Sequence, residues 1–192
     1  MASAVTAAHR KPTARPSNPW IFALLGVLLV VLPTSALGGR YDLPIQVPTL
    51  LQTVLRFAKA GNAERTLKSA LIYEPINADA EAAAGLDPLA RITEAVENGS
   101  TESLVHAAEL LILADVAALV EGVGAYPDEA LTRTRTAFLE YSFIKTVMAE
   151  KHAALDIKVR KGLKDLSIEP DNKALGDSAS ELLRELISAH DR

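Results

Sequence analysis

The run TESLVHAAEL, Thr101 to Leu110, places Glu102, His106 and Glu109 four and three residues apart. On a helix this spacing sets an imidazole and two carboxylates on neighbouring turns, donor types that suit a metal ion such as zinc. Upstream, Glu94 and Glu97 form a Glu-x-x-Glu pair able to meet a hard cation. Neither set is complete. A di-iron bundle needs paired Glu-x-x-His motifs, and the chain has none; an oxygen-ligand site needs more donors than two carboxylates. The sequence therefore assigns no metal and no cofactor. Glu94, Glu97, His106 and Glu109 stand as candidates beside a plainer account, a satisfied histidine at a helix start and an exposed acidic face.

Nucleophilic catalysis has less to work with. Cysteine is absent, no Gly-x-Ser-x-Gly turn occurs, and histidine stands only at 9, 106, 152 and 190, the first and last near the termini. No catalytic residue is marked, and the expectation is a protein that is not an enzyme. Lys158, Arg160, Lys161 and Lys164, with Lys145 and Lys151, make one basic region in an acidic chain. On a helix they are candidates to face anionic lipid heads or an acidic partner, or else a solvated face crossed by Glu150 and Asp156. Phe138 and Tyr141, three apart in the same region, are expected in the core.

The elements that must position these residues read as helices throughout. Pro48 opens a helix to about Ala60 with Leu50, Leu51, Val54, Leu55 and Ala58 on one face, and Gly61 stops it. Asn62 caps a second from Ala63 to Tyr73, with Leu67, Ala70 and Leu71 sharing a face before Pro75. Asn77 caps a short Ala-rich helix closed by Gly85, and Asp87-Pro88 opens a fourth that ends at Gly99. The fifth, Thr101 to Glu121, is strongly apolar. Its Glu109 and Asp115 argue for the centre of a bundle over a membrane span, because an acid near a bilayer centre costs on the order of 3 kcal/mol. Pro127 opens a sixth helix that runs to His152 or, broken near Asp156, to Leu166. Ser178 and Glu181 form a capping box for the last, ending at His190. No strand pattern occurs, so the fold class is all-α, a helical bundle or short helical-repeat domain over 48–192.

Ahead of this domain lie a basic tail, 1–19, the apolar segment Trp20–Leu37 and a Pro-broken linker, 38–47. Eighteen helical residues span roughly 27 Å, close to the hydrocarbon core of a bilayer. The first 40 residues hold no acid and four of the 20 basic residues, leaving 16 basic against 24 acidic in the rest. The basic flank predicts a cytoplasmic N-terminus and an extracytoplasmic domain, as in a single-pass inner-membrane protein. A signal peptide cleaved after Ala36 or Gly38 would instead release the domain into the periplasm, and an Ala/Ser/Thr-rich leader also fits an organelle. The acidic exported part excludes general nucleic-acid binding.

Ala63, Ala70 and Pro75, followed by Ala78, Ala80 and Gly85, have the spacing of small residues and helix stop in a tetratricopeptide repeat, and residues 47–85 resemble that family. Val47 and Val54 stand where the family carries bulkier residues, and Pro88 interrupts the helix that should follow Gly85. The resemblance implies a concave groove for a partner's peptide or helix and no enzyme activity. The leading expectation is therefore a membrane-anchored helical docking or assembly module, an accessory subunit of a membrane complex with a protein partner. The alternative is an exported periplasmic helical protein that binds a small ligand or a metal after signal cleavage.

Overall fold

The computed structural model describes residue 43 and residues 45–192. The basic tail, the apolar segment Trp20–Leu37, His9 and most of the linker lie outside the described residues. Among the described residues the chain is all-helical with no strand.

The first helix among the described residues, α1, covers Val47–Lys59 and buries Val47, Leu50, Leu51, Val54, Leu55 and Ala58, the face its periodicity predicts. Asn62 caps α2, Ala63–Ala70, its side chain accepting from the Arg65 N–H at 3.0 Å. The chain then tightens into a 3₁₀ turn, Leu71–Ile76, with Pro75 inside it. Tightening rotates the side chains, so the buried set is Thr66, Ala70, Tyr73 and Ile76, while Leu71, expected on the inner face, is 50% exposed. Helix α3, Asn77–Ala84, has no side-chain cap; Asn77 lies inside it and donates instead to Asp87 at 3.0 Å. Gly85 and Gly99 end α3 and α4 (Pro88–Asn98) in the left-handed conformation that favours glycine. Asp87 caps α4 as its position before Pro88 predicts.

Helix α5, Thr101–Ala125, is the axis of the domain; α1, α3, α4, α6 and α9 all pack on it. Between Ala107 and Ala117 every residue is buried, so this helix is apolar on all sides because it has neighbours on all sides. By length and composition it could cross a membrane, with mean hydropathy 1.9 over its most apolar window, and 78% of that window is buried against other helices. Its Asp115 accepts from the Tyr73 hydroxyl at 2.6 Å, tying the 3₁₀ turn to the axis.

The expected sixth helix is three. After a short 3₁₀ turn at Pro127–Glu129 come α6, Ala130–Tyr141, α7, Lys145–Lys151, and α8, Ala153–Ile168. The breaks fall at Ser142–Ile144 and at His152, not at Asp156. Asp156 is buried inside α8, where it accepts from the Tyr141 hydroxyl at 2.9 Å and pairs with Arg160 at 2.7 Å. Burial first, and then Asp156, push the Tyr141 phenol above its ordinary range. Phe138, expected in the core, is 48% exposed; Tyr141 and Ala137 occupy the inner face instead. The last helix, α9, covers Lys173–His190 and is capped by Asn172, which accepts from Leu175 N–H, so the Ser178–Glu181 pair lies within the helix and caps nothing.

Candidate functional site

His190 meets Glu109, and two further histidines, His106 and His152, gather on the His190 ring. His106 and Glu109 come from the first turns of α5. His190 comes from the last turn of α9, where Leu183, Leu186 and Ile187 bury the same face and carry the imidazole inward with them. His152 comes from the joint between α7 and α8, its backbone N–H closing α7 and its carbonyl accepting the first bond of α8 at 2.9 Å. The His190 Nε2 stands 3.1 Å from Glu109 Oε2, and its Nδ1 stands 3.2 Å from His152 Nε2. The His106 and His190 rings lie 4.5 Å apart between centroids, and the His152 ring meets His190 edge-on at 5.4 Å. The side chains of Glu109 and His190 are each 1% exposed.

One ligand atom from each of His106, Glu109 and His190 lies within 4.8 Å of the others. Bonds of about 2.0–2.2 Å to a tetrahedral ion put neighbouring donors roughly 3.4 Å apart, so the His190–Glu109 pair already stands near ligand spacing. Desolvation, and then the neighbouring His190 and Lys151, hold His106 below the ordinary histidine range; desolvation does the same to His152. Neutral imidazoles keep the lone pair that a metal needs. A cation on His190 Nε2 would place that ring's proton on Nδ1, directed at His152, the usual arrangement in which a ligand histidine is oriented through its second nitrogen. The Lys151 ammonium, 3.7 Å from Glu109 Oε2, lies on the rim and is half exposed.

Two of the four sequence candidates, His106 and Glu109, are brought together. Glu97 and Glu102 are exposed and stay apart from them. Glu94 is also exposed and pairs with Arg91 at 3.3 Å, but it lines a cavity of about 180 Å³ that His106 also walls. His190, near the C-terminus, and His152 are the residues that sequence reasoning missed. A signal for His190 existed in its place seven residues after Leu183 and three after Ile187 on the apolar stripe of α9. For His152 none did, because a helix joint has no periodicity. The basic residues Lys158, Arg160, Lys161 and Lys164 lie exposed along α8, two of them in pairs with Asp156 and Asp165.

A second polar cluster surrounds Arg133 of α6, which is 6% exposed, stands 3.4 Å from Glu129 and lies over the Tyr126 ring at 4.7 Å. A cavity of about 220 Å³ beside it is walled by Asp79, Asp115, Glu121 and Gly122. Of these acids, Glu121 pairs with Arg184 at 3.0 Å and Asp115 accepts from Tyr73. The histidine cluster differs in bringing two imidazoles and a carboxylate, all possible metal donors, within 4.8 Å of one another. Comparison with known proteins places the chain in no family: no family model, no characterised relative and no solved structure matches it.

Proposed function

We propose that the helical domain binds a transition-metal ion, zinc foremost, among His106, Glu109 and His190, on a chain tethered by the segment Trp20–Leu37. One observation carries the reading: donors 81 residues apart in the chain converge inside a hydrophobic bundle, the Glu109–His190 pair at 3.1 Å. Burying a carboxylate against an imidazole is costly unless its charge is met; the half-exposed Lys151 ammonium at 3.7 Å meets it in part, and a divalent ion bound by both donors would meet it more fully. Imidazole and carboxylate, with no thiolate in the chain, suit zinc, iron, nickel or copper. The full-length protein, stripped and then dialysed against limiting zinc, is expected to retain one ion per chain. Glu109→Gln and His190→Gln, checked for helicity by circular dichroism, are each expected to weaken retention by more than about 100-fold, since loss of an outer partner alone costs about 10–100-fold. Absence of retained metal, or retention that neither substitution changes, would reject the reading.

A docking role is the second reading, favoured by a specific surface. On α6, Leu131, Phe138 and Leu139 are 41%, 48% and 49% exposed and lie on one face, seven and eight residues apart. Such a stripe suits a partner helix, and the exposed bases of α8 suit anionic lipid heads, as an accessory subunit of a membrane complex would require. Both readings agree on an anchored domain.

A further inference from the structure

This inference rests on the metal-binding reading and concerns what else the ion would hold. Zinc in a closed structural site takes four protein ligands, whereas three leave a position for water or a substrate. His106, Glu109 and His190 make three. The neighbours that could supply a fourth are each engaged elsewhere. His152 directs Nε2 at His190. Lys151 carries an ammonium, which offers protons and no lone pair. Asp191, next to His190, has Oδ2 held by Arg91 at 2.7 Å, and the same guanidinium holds Glu94 at 3.3 Å. Arg91 of α4 thus pairs with both of these carboxylates.

Of the three donors it is His106 that borders a cavity. It is only partly buried, and the cavity, of about 180 Å³, is walled by Arg91, Glu94, Asn98, Ser103, His106 and Asp191, the guanidinium pairing with both carboxylates. That volume holds several waters or one small organic ion, water occupying about 30 Å³ in the liquid. Charge selects the class of ligand. A divalent ion on one carboxylate leaves a net positive centre, and Lys151 adds a positive charge 3.7 Å from that carboxylate.

We propose that the ion keeps one coordination position open toward the Arg91–Ser103 cavity, and that this position takes water or a small anion of the carboxylate class.

Cobalt(II), which takes zinc sites and reports its ligands through visible absorption, is the probe. The full-length protein loaded with cobalt is titrated with azide, acetate and acetohydroxamate, and the same series is run on Ser103→Trp, which fills the cavity one turn before His106, with an unchanged cobalt stoichiometry and anion-free spectrum required as proof that the ligands are intact. The expected result is a cobalt spectrum that shifts saturably with each anion in the wild type, and an anion affinity weaker by about tenfold or more in Ser103→Trp with cobalt still bound. A bound-cobalt spectrum that no anion moves would overturn the proposal, showing the position closed by a protein group, and would leave metal binding intact. An anion shift equally strong in Ser103→Trp would overturn the cavity as the opening. Failure to bind cobalt at all would remove both this proposal and the reading beneath it.

Discussion

Asp87 serves two elements at once. Its carboxylate accepts from the Leu89 and Ala90 N–H groups at 3.0 and 3.1 Å, capping α4, and from the Asn77 amide of α3 at 3.0 Å. The Asn77 hydrogen bond is the main influence holding its carboxyl below the usual range, supported by the two backbone bonds and opposed by burial. A lowered folded-state pKa contributes stability that is present above the unfolded value, near 4, and is lost as the pH falls through the folded one. Asp87→Ala is therefore expected to destabilise the protein by about 1 kcal/mol at pH 7, the ordinary worth of a cap, and by progressively less below about pH 4. Urea unfolding of both proteins across that range checks it; an equal gap at every pH would show that the charge of Asp87 contributes nothing. At this scale the cap of α4 was legible in Asp87-Pro88, because a cap acts on residues two or three away. Asn77 was misassigned as a cap because its partner stands ten residues on, at a distance only folding decides.

At the scale of elements, the contact between α5 and α6 turns on Gly122. A Cβ there would run into the Arg133 guanidinium, which is itself pinned over Tyr126 and beside Glu129. Exchanging glycine for alanine within a helix ordinarily stabilises by roughly 0.5–1 kcal/mol. Gly122→Ala is expected to reverse that sign and destabilise by about 1–3 kcal/mol, the usual cost of overpacking. Gly124→Ala, two residues on, where the nearest atom is Lys173 Cγ at 4.0 Å, keeps the ordinary sign. Thermal denaturation of the two variants side by side decides it, and a Gly122→Ala protein at least as stable as the wild type would refute the steric argument. The helices themselves were legible wherever proline, glycine or a capping side chain bounded them, as at Pro48, Gly61, Gly85 and Gly99. The stop at His152 matches one of the two expected ends of the sixth helix, whereas the break at Ser142–Ile144 has no such residue to mark it. They arise where Tyr141 and Met148 must both reach the core, each about 2% exposed or less.

On the scale of the whole molecule, both functional readings place the domain on an anchor. Extraction of membranes with carbonate is expected to leave the protein in the pellet and detergent to release it, with an intact mass that includes Met1–Gly39. A freely soluble protein whose mass begins near Leu37 or Gly39 would show cleavage and release. The metal reading survives that outcome, because its donors all lie within the helical bundle, while the membrane-complex reading does not.

What the sequence by itself determined is local. Period, caps and stops set an all-helical domain, chose the buried face of α1, and identified α5 as a core helix through its buried acids, since these depend on residues a few positions apart. Composition also placed His106 and Glu109 on adjoining turns. Only the tertiary structure decided that α9 returns along α5 to bring His190 to 3.1 Å from Glu109, and that a helix joint presents His152 behind it. A donor set drawn from two helices far apart in the chain has no spacing to read; it exists once packing has fixed which helix lies beside which.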